Sequence, residues 1–175
     1  DGKSIVWRAY YPETNEEKKW LNDFDNDQII QDGYRTQQAT KPQTLSYAMV
    51  DSPVGIAAWI IEKFHGWTKD DTDKLVVSLD EILAIVSLYW YTESITSSAR
   101  FYYENGPLGF TFNPVSQPMA GAIFENEIAR PPRVWAEKIY NIVQWNQYPG
   151  GHFAALENPE ILADDIFSFA AKLEF

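Results

Sequence analysis

Hydrophobic and polar positions divide the chain into three stretches. Up to about residue 45 no apolar period is sustained. The segment 1–45 is polar, with aromatic anchors at Trp7, Tyr10, Tyr11, Trp20 and Tyr34, and it reads as irregular connecting chain. Seven acids between Glu13 and Asp32 face only Lys18 and Lys19, the pattern of a solvated connection.

Helical spacing begins at Asp51-Ser52-Pro53, where Ser52 suits an N-cap and Pro53 a first helical position. Val54, Ala57, Ala58, Ile61 and Phe64 follow at helical intervals, and Gly66 fits just past the end. After a charged loop, Lys69 to Lys74, the run Ser78-Leu79-Asp80-Glu81 is a capping box. Leu79, Ile82, Leu83, Val86, Tyr89 and Trp90 mark the inner face of the helix it starts. A third helical stretch spans Ile95 to Asn105 and stops at Gly106-Pro107. Residues 46–112 therefore read as a helical unit.

From residue 113 the pattern changes. Met119 to Phe124 and Tyr140 to Trp145 are short apolar runs that read as buried strands, and Pro131-Pro132 opens a short helix carrying Trp135 between them. Asn158-Pro159 caps a last helix, with Leu162, Ile166, Phe169, Ala170 and Leu173 as its expected inner face. Strand–helix–strand–helix is the end of a doubly wound α/β sheet. Two parallel strands alone leave an apolar edge and unpaired backbone groups, so the sheet calls for a further partner.

Composition narrows the function classes. A formal net charge of −11 argues against nucleic acid and anionic membranes as partners. No cysteine is present, which removes disulfides, thiolate metal sites and a cysteine nucleophile. Two histidines are too few for a histidine-rich metal centre, and no cofactor is implied. Seven Trp, ten Tyr and ten Phe need a core or an apolar pocket. No run reaches the roughly 18–20 apolar residues of a membrane span, and no signal peptide precedes Asp1, so a soluble, cytoplasmic protein is expected. A start at Asp1-Gly2-Lys3 fits processing, proteolysis, an upstream region or simple loss of Met.

One histidine sits where chemistry is expected. The run Gly150-Gly151-His152-Phe153-Ala154-Ala155 places His152 on a glycine turn after the second strand. Glu127 follows directly on the first strand. Carboxyl ends of adjacent parallel strands lie side by side, and ligands bind there, so an acid on one strand end can meet a base on the other. A base needs such an acid to fix its tautomer. Glu125, nearer the strand end, is the rival to Glu127, and spacing leaves the two open.

Several segments together resemble the cap and C-terminal half of the microsomal-type epoxide hydrolases, a branch of the α/β-hydrolase superfamily. They include Gly33-Tyr34, Gln38 to Leu45, Asp51 to Ile60, Glu62-Lys63-Phe64, Ser97-Ser98, Arg100-Phe101-Tyr102, Glu104-Asn105, Phe124, Glu127-Ile128, Pro132, Trp135 and the run from Gly150 to Glu157. The pieces occur in the family's order over about residues 30–175. The resemblance implies that 1–45 leads into the cap, that 46–112 is the helical cap and that 113–175 is the C-terminal part of an α/β-hydrolase core. It places the acid of the family's triad on Glu127 and the base on His152. It places the two cap tyrosines that hold the epoxide oxygen on Tyr34 and Tyr102. The implied reaction converts a lipophilic epoxide and water to a vicinal diol through an alkyl-enzyme ester.

The family's nucleophilic Asp and its His-Gly-Trp-Pro oxyanion motif are not found in these 175 residues. His65-Gly66-Trp67 resembles the latter, but Thr68 stands in place of Pro and the run follows a helix, so it reads as a helix end. Asp51, before Ser52-Pro53, reads as a helix-start residue rather than a nucleophile. The resemblance therefore implies an N-terminal hydrolase piece as partner, either a second chain or the same chain after cleavage. Two other functions fit the residues: a non-catalytic homologue that holds an apolar ligand, or an esterase with a Ser nucleophile.

Overall fold

The computed structural model describes residues 12–68, 75–105 and 114–173. Two compact units divide the chain, residues 1–63 with 78–111 and residues 64–77 with 112–175. Segment 64–77 thus belongs with the C-terminal unit rather than with the helical stretch around it. Trp7, Tyr10, Tyr11, the loop Lys69 to Lys74 and the helix stop at Gly106-Pro107 lie outside the described residues.

The first unit is helical: α1 Asn15–Gln31, α2 Gly33–Thr40, α3 Pro42–Asp51, α4 Pro53–Trp67 (its last turn, from Phe64, counts with the second unit), α5 Leu79–Tyr91 and α6 Ile95–Asn105. Helices α1 to α3 correct the irregular reading of the first 45 residues. Thr14 and Glu17 start α1 as a capping box: Glu17 N–H donates to Thr14 Oγ1 at 3.1 Å and Thr14 N–H to Glu17 Oε2 at 3.2 Å. One turn apart, Trp20 stacks on Phe24, and Lys19 pairs with Asp23. Glu16 and Asp23 are exposed on this helix. Short α2 and α3 bury only Gln38, Ala39, Ser46 and Met49, half of them polar, so no apolar period could announce them.

Expected caps appear further on. Gly55 N–H donates to Ser52 Oγ at 3.1 Å at the start of α4, and the capping box of Ser78 and Glu81 starts α5. Helix α4 runs through Gly66 instead of stopping before it, and Asp51 ends α3 rather than starting α4. On α5 Ile82 and Val86 are buried as expected, but Leu79 and Leu83 are exposed. Helix α6 packs against α2 and α3.

In the second unit a two-stranded parallel sheet joins β1 Val115–Asn126 to β2 Tyr140–Gly151, with α7 Arg133–Ala136 between them and α8 Ala154–Glu157 and α9 Pro159–Ala170 after. Both strands outrun the apolar runs that signal them. Gly121 explains the small residues at mid-strand: a Cβ there would sit 2.6 Å from Cε3 of Trp145 on the neighbouring strand. Trp135 of α7 is fully buried. Phe124 pairs with Tyr148, but the next pair is Asn126 with Gly151, so β2 carries one extra residue just before its end.

Helix α9 departs from its expected face. Asp165 is buried at 4% exposure, while Ile166 and Phe167 are 56% and 72% exposed. A polar network turns the helix that way. Asp165 Oδ1 accepts from Asn146 Nδ2 and from the Tyr148 hydroxyl, each at 2.6 Å. Its backbone carbonyl accepts from Gln144 Nε2 at 3.0 Å. Burial opposes ionisation of Asp165, but hydrogen bonds from Tyr148, Asn146 and Gln144 outweigh it and hold the carboxyl below its ordinary value. A depressed folded-state pKa contributes stability above the unfolded value of about 3.9, and that stability is lost as pH falls through the folded pKa. Asp165→Asn is therefore expected to cost about 1–3 kcal/mol at pH 7, with the gap to the parent narrowing below about pH 4. Denaturant melts of both proteins at pH 7 and pH 3 check this. An equal gap at both pH values would show that the carboxylate charge is not the source.

Candidate active site

His152 and Glu127 follow the last paired residues of β2 and β1, and the parallel register carries their side chains together. His152 Nδ1 lies 2.7 Å from Glu127 Oε1. Glu127 Oε1 also accepts from the N–H of Ile128 at 2.6 Å, which fixes the carboxylate against its own backbone. Glu125 stays out of this contact, and its carbonyl accepts from Arg130 instead. With Nδ1–H donated to Glu127, Nε2 is the basic ring nitrogen. The two side chains are 37% and 32% exposed, so Nε2 can reach a water molecule or substrate. Such a dyad can take a proton from water and hold the resulting imidazolium.

The turn beneath the imidazole is tightly built. Gly150 has φ +123°, a conformation that needs glycine. Phe153 stacks on Phe64 with ring centres 4.0 Å apart, and Trp67 meets the imidazole edge-on at 5.1 Å. His65-Gly66-Trp67 is a helix end, as its sequence implies, yet its Trp67 lines the histidine. The carboxylate of Glu157 folds back over the same turn, to the N–H groups of Gly151 and Phe153. Sequence reasoning passed over Glu157. The available signal was an acid one helical turn beyond the residue after His152, close enough to reach back.

Tyr34 and Tyr102 lie in the first unit, on α2 and α6. Their rings meet edge-to-face with centres 5.9 Å apart. Phe101 and Tyr103 are exposed, so Tyr102 is the member of its aromatic run that turns inward. Burial first, then the charge and hydrogen bond of Tyr102, push the Tyr34 phenol well above its ordinary value. At neutral pH it is an O–H donor and not a phenolate. Asp32 and Arg35 form a bidentate ion pair at the start of α2, and the hydrogen bond that Arg35 donates to the Asp32 carboxylate is the main cause that raises the Arg35 pKa. Lys63 Nζ lies over the Tyr34 ring, 4.8 Å from its centre. Tyr34, Leu45, Ala48, Trp59 and Lys63 are among the walls of an open cavity of about 590 Å³ in this unit. Its apolar walls, Leu45, Ala48 and Trp59 among them, are joined by Gln37, Thr44 and Lys63.

Known epoxide hydrolases match most of this chain in sequence and in fold. Epoxide hydrolase 1 of Sus scrofa is 42% identical over 156 residues, which are 81% of this chain and 34% of that protein. Juvenile hormone epoxide hydrolase 1 of Ctenocephalides felis is likewise 42% identical, over 81% of this chain and 34% of its own length. The crystal structure of juvenile hormone epoxide hydrolase from the silkworm Bombyx mori superposes with a TM-score of 0.80 at 29% identity, covering 93% of this chain and 42% of that one. The chain is thus similar to epoxide hydrolases over most of its own length. It spans about a third of the length of the curated epoxide hydrolases it matches. Its helices and small parallel sheet are a C-terminal portion of the α/β-hydrolase fold that these epoxide hydrolases share. No family model matches the chain. Among the described residues no single helix is long and apolar enough to cross a membrane.

Proposed function

We propose that this chain is the cap and C-terminal part of an enzyme that converts a lipophilic epoxide and water to a vicinal diol. The observation that carries the reading is the 2.7 Å pairing of His152 with Glu127 at the carboxyl ends of adjacent parallel strands. The reaction runs through an ester. A carboxylate oxygen attacks an epoxide carbon, the ring C–O bond breaks, and the oxygen that leaves takes a proton from a phenol. Tyr34 and Tyr102 serve as those donors in our reading. Water then attacks the ester carbonyl while His152 Nε2 removes its proton and Glu127 stabilises the imidazolium. Collapse of the tetrahedral intermediate expels the diol oxygen, which takes that proton back, and the carboxylic acid so formed returns its own proton to the phenolate, so that carboxylate and phenol are both regenerated.

The nucleophilic aspartate and the oxyanion hole come, in this reading, from an N-terminal hydrolase piece, either a second chain or a part of the same chain after cleavage. The exposed Ile166 and Phe167 of α9 support such a partner, since that face has the apolar character of an inner one. The test is diol formation from a lipophilic aryl epoxide by the complete protein. A protein that binds the epoxide but yields no diol would instead be a non-catalytic ligand binder.

Glu127→Gln separates the two half-reactions. An amide can still orient the ring, but it does not stabilise the imidazolium that forms when water is deprotonated. Ester hydrolysis is expected to slow by roughly 10²- to 10⁴-fold, with ester formation much less affected. Single-turnover kinetics with rapid quench checks the order, and a larger loss in ester formation would assign the acid elsewhere.

A further inference from the structure

His152 has a partially exposed ring, so packing of the imidazole alone does not set its direction. Its direction follows the backbone of the turn, and the backbone donors of that turn are all engaged. Gly151 N–H donates to Glu157 Oε2 at 2.9 Å, and Phe153 N–H donates to Glu157 Oε1 at 3.0 Å. Between them His152 N–H donates to the carbonyl of Trp67 at 2.8 Å. That carbonyl belongs to the last turn of α4, where no intrahelical partner remains for it. Three consecutive amides around the histidine thus meet a helix end and the two oxygens of one carboxylate.

The close approach leaves no room for a side chain before the histidine. A Cβ on Gly151 would fall 2.2 Å from the Trp67 carbonyl oxygen and 3.0 Å from Glu157 Oε1. The glycine is required by this contact. Its neighbour Gly150 is the one required by its φ angle.

From this geometry we infer that Glu157 is the positioning residue for His152: its carboxylate bridges the amides on either side of the histidine and so fixes the line from Nδ1 to Glu127. A carboxylate suits the task, because it offers an acceptor oxygen to each of two N–H donors and no donor of its own. Glutamine keeps one acceptor and turns an NH₂ toward the other N–H. Alanine keeps neither. The catalytic consequence rests on the proposed ester-hydrolysis role of His152, whereas the structural bridge does not.

Glu157→Ala and Glu157→Gln in the complete protein test the inference with two readouts. The first is the partition between ester formation and ester hydrolysis in single turnovers. Hydrolysis is expected to fall roughly 10- to 100-fold in Glu157→Ala and by less in Glu157→Gln, since small misplacements of a reacting group carry penalties of that order. Ester formation should change by less than about threefold, because His152 has no part in it. The second readout is the Nδ1–H proton of His152 in NMR spectra, which reports the bond to Glu127 without any substrate. It should shift or broaden in both variants. A lowered melting temperature with an unchanged Nδ1–H signal and unchanged hydrolysis would overturn the inference and leave Glu157 a stabilising residue only. Should Glu157→Ala not fold, the same signal in Glu157→Gln decides. If the parent makes no diol from any epoxide, the proposed function fails while the NMR signal still decides the bridge.

Discussion

His152→Gln in the complete protein should stop turnover after one event and leave the substrate bound to the enzyme as an ester. Ring opening uses a carboxylate nucleophile and phenol donors, none of which is altered. Ester hydrolysis loses its general base, a change worth roughly 10²- to 10⁴-fold. Glutamine approximates the imidazole in size and polarity, so the turn that Trp67 and Glu157 hold through backbone amides has no reason to move. The expected signature is a burst of one equivalent of consumed epoxide, little diol, and a mass increase on the polypeptide equal to the epoxide. Steady diol release at the parental rate would remove His152 from the mechanism. A Ser-based esterase would respond differently, since its histidine is needed before the covalent step and no burst would appear.

Tyr34→Phe combined with Tyr102→Phe should fail one step earlier. No ester should form, because the oxygen of the opening ring loses both O–H donors. Removing a single preorganised donor at a developing oxyanion typically costs about 10²- to 10³-fold. The two rings are in contact, so the two losses do not simply add. A combined loss on the order of 10³-fold or more is expected for ester formation. The high pKa of Tyr34 bears on this outcome. A phenol pushed upward is a weaker acid, so its contribution is hydrogen-bond stabilisation of the oxygen more than outright proton delivery. Parental rates of ester formation in the double variant, measured by rapid quench, would exclude the tyrosines.

Much of the second unit was legible because its signals are local or periodic. Two apolar runs, a glycine-flanked histidine and an acid at the other strand end required a parallel pairing, and the sheet supplies it. Capping signals at Ser52 and Ser78 were equally readable, since each needs only a few adjacent residues. The first three helices were not legible from hydrophobic period. The second and third bury Gln38 and Ser46 alongside Ala39 and Met49, and a pattern of that kind is invisible to an apolar template. Thr14 and Glu17 did carry a readable start signal there. On α9 the apolar stripe misled, because a buried carboxylate with its own donors outweighed it and turned Ile166 and Phe167 outward. Glu157 carried a spacing signal only, one helical turn past Phe153. Its partners are backbone amides, which leave no trace in residue types.

The extra residue near the end of β2 has a consequence for how this site can vary. From Phe124 opposite Tyr148, an unbroken ladder would set Asn126 opposite Gly150 and Glu127 opposite Gly151. The inserted position advances β2 by one, so that Glu127 and His152 instead follow the same pair, Asn126 and Gly151. Strand side chains alternate, and losing one residue between Tyr148 and Gly151 would swing the histidine to the opposite face. The dyad is thus keyed to the number of residues in this stretch as much as to their identity. Among homologues the stretch is expected to drift in composition at Pro149 while its length stays fixed, so a gap there marks a lost dyad even where both the acid and the histidine survive.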